Sequence, residues 1–269
     1  MEKRFAFIGA GNMASAIIGG LTDRAAADAV PEAQITLFDK NPAQYDRYGT
    51  GFVRASSAAD AARDADIVVL AIKPQNYAEV LDELGRTDTH GKIFISIAAG
   101  ISTAFVETYL GSDAAVVRTM PNTPLLLGEG ATALCRTSNV PEEDFARVRS
   151  AFSCCGVTQE IDEAQMNAVI AVSGSSPAYL YLLAKLTCDY AAQQGIDPKT
   201  ALTLFCQTMK GSADMLLNSG KDPQALMDMV TSKGGTTFAL LNVLKEQGFN
   251  EAMISSFEAC THRAEELSM

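Results

Sequence analysis

The chain has 269 residues, room for one large or two modest domains, and its 48% apolar and 20% charged residues are those of a globular protein with a sizeable core. With 21 basic against 32 acidic residues the net charge is −11, which argues against a nucleic-acid binder, since those usually show a basic stripe. No stretch approaches the roughly 18 uninterrupted apolar residues of a membrane span, so no membrane partner is expected.

Short apolar runs of strand length come first: 5–9, 35–39, 67–72, 93–97 and 115–118. They are continuous rather than alternating, as in a parallel sheet covered on both faces. Helical patterns separate them, at 12–21, 58–64, 76–84 and 102–109, so the order strand, helix, strand, helix predicts a doubly wound α/β domain. From about residue 162 the texture changes. Residues 1–161 hold 13 of the 20 glycines, whereas 162–269 hold 7 of the 10 methionines and place Pro177, Pro198 and Pro223 at apparent helix junctions. Two domains are expected, 1–161 α/β and 162–269 all-helical. Asp197-Pro198 is an N-cap followed by proline at the first helical position, and Leu202, Phe205, Met209, Ala213 and Leu216 follow with helical spacing. The stretch 178–192 is apolar almost all round, which predicts a helix covered by a second subunit.

Six cysteines (135, 154, 155, 188, 206 and 260) form no CxxC pair, so reduced thiols and no metal site are expected. The start, Met1-Glu2-Lys3-Arg4, leads into an apolar run broken by Gly9 and Gly11, too short for a signal peptide. A cytoplasmic location follows as the expectation.

Gly9-Ala10-Gly11-Asn12-Met13-Ala14 follows a strand and opens a helix, the context that a GxGxxG/A dinucleotide fingerprint requires. Gly9 permits the tight turn, Gly11 lets the pyrophosphate approach the backbone, and Ala14 allows close helix packing. Asp39, at the end of the second strand, suits the ribose hydroxyls of NAD, while Lys40 and Asn41 beside it suit the 2′-phosphate of NADP. The sequence leaves the two cofactors open. Ala71-Ile72-Lys73-Pro74 and Arg118-Thr119-Met120-Pro121-Asn122-Thr123-Pro124 each end a strand on the same carboxyl edge, where ligands of open α/β sheets bind. In the helical part, Ser173-Gly174-Ser175-Ser176-Pro177 and Thr231–Thr237 put small residues, hydroxyls and free amides before helices, which suits a carboxylate. The two histidines, His90 and His262, stand in no motif, so chemistry centred on a histidine base is not expected.

With these segments assembled, the chain closely resembles pyrroline-5-carboxylate reductases. The resemblance rests on Phe7–Met13, Ala71–Pro74, Ser96–Gly100, Met120–Pro124, Val172–Ala178 and Asp228–Thr237, and runs over essentially the whole chain. It implies an N-terminal Rossmann domain, a helical domain that interlocks with its twin in a homodimer or larger oligomer, and reduction of the cyclic imine 1-pyrroline-5-carboxylate to L-proline by NADPH or NADH. It further implies that Gly9, Gly11, Asn12 and Met13 hold the pyrophosphate, with Asp39 and Lys40 at the adenosine end. Ala71, Lys73 and Pro74 would line the cofactor cleft, and Asn122 and Thr123 would lie near the nicotinamide. Val230, Ser232, Gly235, Thr236 and Thr237, with Ser175, would form the substrate pocket, and Thr237 would be the catalytic residue, hydrogen-bonded to the ring nitrogen. The chain departs from the family pattern at Ser176, at Leu240 and at Asp39-Lys40-Asn41. Two alternatives stand beside this reading. A β-hydroxyacid dehydrogenase shares the domain plan but needs a catalytic lysine at a helix start, where this chain has Lys185 well inside an apolar helix; a non-catalytic dinucleotide sensor would keep the fold without the reaction.

Overall fold

A computed structural model describes residues 3–23 and 29–268; Met1 and Glu2 of the charged start lie outside the described residues. The chain forms two compact units, Met1–Ser175 with Cys260–Met269, and Ser176–Ala259.

The first unit is built on an eight-stranded sheet. Its strands are β1 (Phe5–Ile8), β2 (Ile35–Phe38), β3 (Val53–Arg54), β4 (Ile67–Leu70), β5 (Ile93–Ser96), β6 (Ala115–Met120), β7 (Gly130–Arg136) and β8 (Gly156–Glu160), in spatial order β3-β2-β1-β4-β5-β6-β7-β8. The helices of this unit are α1 (Asn12–Leu21), α2 (Ala58–Ala62), α3 (Tyr77–Leu84), α4 (Thr103–Leu110) and α5 (Glu142–Ser153). Strands β1 to β6 are parallel, and the order reverses at β1, which makes the sheet doubly wound.

The period of two explains why the central strand sequences are mostly apolar on both faces. Phe5, Phe7, Leu37, Val69, Ile95 and Val117 join α1 and α5 in one core, while Ala6, Ile8, Val68, Leu70, Phe94 and Val116 join α2, α3 and α4 in another. Both faces are buried, so apolar residues dominate both sets, and the buried polar exceptions Ser96, Arg118 and Thr119 are each hydrogen-bonded. Each fully buried side chain such as Phe7 or Phe94 contributes about 1.5–3 kcal/mol over its exposed state.

The sheet extends beyond the expected strands. Strand β7 runs antiparallel to β6, and β8 pairs parallel to β7. Its sequence, Gly-Ala-Thr-Ala-Leu-Cys-Arg, is too rich in small residues to read as a strand, and β8 is a polar edge. Strand β7 exists because β6 offers it a free edge and β8 because β7 offers the next, not through their own propensity.

In the second unit lie α6 (Ser176–Gln193), α7 (Pro198–Asn218), α8 (Pro223–Val230), α9 (Thr236–Glu246) and most of α10 (Phe249–Leu267). Asp197 caps α7 by accepting a hydrogen bond from the Thr200 amide at 2.9 Å, and Asp222 caps α8 the same way through Ala225 at 2.8 Å. The change of texture near residue 162 precedes the division of the chain at Ser175. Between them, residues 163–174 pack on the first unit: Met166, Ile170 and Ala171 are buried, Met166 against Ala133 and Cys135 of β7. No helix among the described residues is long and apolar enough to cross a membrane.

Candidate active site

The parallel strands deliver their carboxyl ends to one edge, and most of the predicted cofactor residues stand there. Gly9 turns away from β1 with φ +97°, and a Cβ on it would lie 2.2 Å from the Ala71 carbonyl oxygen. Only glycine permits that turn against the end of β4. Before Gly11, in contrast, there is open space: a Cβ there would meet nothing within 4 Å. Helix α1 begins at Asn12 with no side chain capping it, which leaves its first-turn amides and the positive end of its dipole to an outside anion. This is the cradle a pyrophosphate needs, so the residues fit a dinucleotide.

Asp39 is drawn into the same corner. One carboxylate oxygen accepts from the Ala10 amide and the other from the Asn41 amide, both at 2.8 Å. Lys40 turns to the side, forming an ion pair with Glu79 of α3 at 2.7 Å. The Pro42–Arg47 turn is strapped over the glycine loop by two tyrosines. The Asp39 amide donates to the Tyr45 hydroxyl at 2.8 Å, and the Tyr48 hydroxyl donates to the Ala10 carbonyl at 3.1 Å. Burial pushes the Tyr48 phenol up to about 12, against the opposing pull of the Arg47 charge, so it is a neutral donor at ordinary pH.

Further along the edge, buried hydroxyls lock three strand ends together. Tyr77, fully buried, donates to the Leu70 carbonyl at 2.7 Å and lies 3.0 Å from the Ser96 hydroxyl; Thr119 donates to the Ser96 carbonyl at 3.1 Å. These bonds fix the starts of the Ala71–Pro74 and Met120–Thr123 segments. Lys73 is exposed and Pro74 half-buried, opening a short helical turn.

Asn122 is buried, and its amide is used at both ends. Its Oδ1 accepts from the Ala131 amide at 2.9 Å, and its Nδ2 donates to the Ser173 carbonyl at 3.0 Å. Its side chain thus ties the loop after β6 to Ile170–Gly174, a π-helical turn just before Ser175. Thr123, next to it, is exposed. Ser175 ends the first unit, exposed, its hydroxyl 3.5 Å from the Cys260 thiol.

In the second unit, Val230 ends α8 with 65% of its surface exposed. Ser232 and Thr236 are exposed and Thr237 half-buried. Gly235 precedes α9 in extended conformation without a side-chain cap, so α9, like α1, presents unpaired first-turn amides. The approach is tight: the Gly235 amide bonds the Ser232 carbonyl at 2.9 Å, and a Cβ on Gly235 would lie 2.5 Å from the Ser232 hydroxyl. Thr236 and Thr237 thereby become the first two residues of a helix whose N-terminus is open. Lys185 lies midway along α6, paired with Asp189 at 2.5 Å, not at a helix start.

Residues 163–267 match the family described as pyrroline-5-carboxylate reductase dimerisation, and residues 4–100 the family described as NADP oxidoreductase, coenzyme F420-dependent. The chain is 39% identical to the pyrroline-5-carboxylate reductase of Escherichia coli, covering 100% of this chain and 99% of that protein. It is 40% identical to that of Pseudomonas aeruginosa, over 98% of this chain and 97% of the other. The chain belongs to the pyrroline-5-carboxylate reductase family. Among solved structures, the pyrroline carboxylate reductase of Plasmodium falciparum with NADP bound matches with a TM-score of 0.89 at 31% identity, covering 100% of both chains. NAD(P)H is accordingly the cofactor of this reductase-family chain, an oxidoreductase with a Rossmann-like first domain.

Two groups of residues in this reductase-family chain escape a reading of the sequence. Tyr45, Arg47 and Tyr48 follow the second strand by several residues, and no motif marks them; only the turn that folds them back over the glycine loop reveals them. Buried Arg118 reaches Asn167 at 2.7 Å and Glu163 at 3.4 Å, while Glu163 accepts from the Thr103 amide at 2.7 Å and from its hydroxyl at 2.5 Å. Arg118 had a signal, as a charged residue inside an apolar run, but its partners lie 45 and 49 positions away.

Proposed function

We propose that this chain reduces the carbon–nitrogen double bond of 1-pyrroline-5-carboxylate to L-proline, working as a homodimer or larger assembly of itself. The observation that carries the proposal is the presence of an open helix N-terminus in each unit, that of α1 in the first and that of α9 in the second, within a chain that aligns end to end with reductases of that name. When bound, the dinucleotide supplies the hydride that goes to the imine carbon, while the ring nitrogen takes up a proton.

The chain's own residues bind and orient. Gly9, Gly11, Asn12 and Met13 receive the pyrophosphate on the amides of α1. Asp39 and Lys40 border the adenosine end, and Ala71, Lys73 and Pro74 line the cleft. Thr123 adjoins the nicotinamide, in a loop held by Asn122. Val230, Ser232, Gly235 and Thr236, with Ser175, hold the substrate, its carboxylate on the amides that open α9. The Thr237 hydroxyl hydrogen-bonds the ring nitrogen and orients the imine. A protonated imine is already electrophilic, so the chain needs no strong acid, and the two histidines are free of that duty: His262 pairs with Glu266 at 3.2 Å, and His90 sits in a turn. The catalytic gain comes chiefly from holding donor and acceptor in near-attack geometry. Residues 1–161 serve the dinucleotide, and 162–269 serve substrate binding and dimerisation. Six free cysteines support a reducing compartment, the cytoplasm.

The test is loss of reduced-nicotinamide absorbance with 1-pyrroline-5-carboxylate as acceptor, run with NADH and NADPH in parallel. Turnover is expected, and Thr237→Ala lowers kcat by about tenfold or more, the scale of one lost transition-state hydrogen bond. Folded protein that binds dinucleotide yet turns over no imine would instead be a sensor.

A further inference from the structure

We propose that Arg47 is a phosphate ligand of the dinucleotide, reaching it from the turn after β2. The inference rests on the reading of the first unit as a dinucleotide site and adds a residue to it. Arg47 is exposed, and its Nη1 donates to Asn12 Oδ1 at 2.7 Å. Asn12 is the first residue of α1, so the contact sets the guanidinium beside the open amides where a dinucleotide phosphate would sit.

Three other charged side chains near the end of β2 already have partners. Lys40, the cation closest in sequence to that strand end, turns to Glu79 in an exposed ion pair. Asp39 spends both oxygens on the amides of Ala10 and Asn41. Arg54 lies over the Tyr45 ring, 5.0 Å from its centroid. Among the described residues no carboxylate lies within ion-pair distance of Arg47, although the chain carries 32 acidic residues. Arginine's planar fork matches a phosphate with two parallel hydrogen bonds, which a lysine cannot do. In a molecule of net charge −11 an unneutralised guanidinium at this corner also offsets the general repulsion that an anionic cofactor meets. The turn that carries it is not loose: the Tyr45 and Tyr48 hydroxyls bind it to Asp39 and Ala10, so Arg47 is presented from a fixed base.

The phosphate oxygens could belong to the adenosine 2′-phosphate or to the pyrophosphate, and the affinities for NADPH and NADH separate the two. The chain has no tryptophan, so the fluorescence of the reduced nicotinamide itself reports binding. Each dinucleotide is titrated into the wild type, Arg47→Gln and Arg47→Lys at several salt concentrations. Arg47→Gln is expected to weaken binding about tenfold or more, as for a lost charge-assisted hydrogen bond, and to flatten the dependence on salt; Arg47→Lys falls between. A loss confined to NADPH assigns Arg47 to the 2′-phosphate, and an equal loss for both with flattened salt dependence assigns it to the pyrophosphate. Unchanged affinities, or an equal loss with the wild-type salt dependence, would reduce Arg47 to a structural partner of Asn12 and overturn the proposal. A folded wild type that binds neither dinucleotide would overturn the cofactor reading itself along with the assignment.

Discussion

Asn122 shows how one buried side chain can fasten two separate segments of the chain. Its amide joins the Ala131 backbone on one side to the Ser173 carbonyl on the other, so it shapes the loop that carries Thr123 and the turn that leads to Ser175. Asn122→Ala leaves a buried N–H and C=O unpaired and is expected to cost about 1–3 kcal/mol in urea unfolding. Asn122→Asp keeps the bond from Ala131 but sets a carboxylate against the Ser173 carbonyl; kcat is expected to fall more than KM rises, the sign of a positioning role. The adjacent cysteines make a second contrast. Cys154 is exposed and Cys155 buried beneath α1, where burial raises its thiol from 9.0 to about 11. A raised folded value means that the unfolded chain loses this proton first, so the contribution of Cys155 is fully present below pH 9 and declines as pH rises from 9 toward 11. Cys155→Ala should therefore show a shallower loss of stability over that range than the wild type, and iodoacetamide should label Cys154 but not Cys155 in the native protein.

At the scale of elements, the short stretch from Glu163 to Gly174 stands out. Glu163 caps the start of α4 through Thr103, Arg118 of β6 reaches both Glu163 and Asn167, and Asn167 Nδ2 donates to the Ser268 hydroxyl just past α10 at 3.0 Å. One polar network thus fastens β6, α4, the 163–167 turn and the chain's last residues to one another. Arg118→Met removes the buried cation from this network. Because the Glu163 side chain is 37% exposed and water screens it, the expected loss is about 1–3 kcal/mol and not the larger cost of a fully buried pair. Chemical denaturation measures it, and Glu163→Gln, which keeps an acceptor for Thr103, should cost less. Strand-length runs revealed β1, β2, β4, β5 and β6, since burial on both faces demands continuous apolar residues. The small-residue β7 and polar β8 gave no such signal, because β7 depends on the edge that β6 provides and β8 on the edge that β7 provides.

For the whole molecule, the decisive surface is on the helical unit. Tyr181, Leu182, Leu186 and Tyr190 of α6 are 62%, 54%, 54% and 63% exposed in the single chain, far more apolar surface than a helix leaves to water. The match of residues 163–267 to a dimerisation family accounts for it, and the oligomer is a homo-oligomer. Light scattering is expected to return at least twice the 28.5 kDa of one chain, and Leu186→Asp to shift the distribution toward that single mass. A folded wild-type monomer at working concentration would contradict this.

The sequence by itself determined the doubly wound sheet, the helical second part, the glycine fingerprint and the two segments of small residues and hydroxyls, because each of these is written locally, in periodicity, caps and turns. It also carried the family resemblance that the full-length relatives bear out. Only the tertiary structure decided that Lys40 pairs with Glu79, that Asn122 spends its amide on the backbone, and that Arg47 stands beside Asn12. These are contacts between residues 35 to 51 positions apart, apart from local spacing rules, and they exist only once the strands have brought their carboxyl ends to one edge.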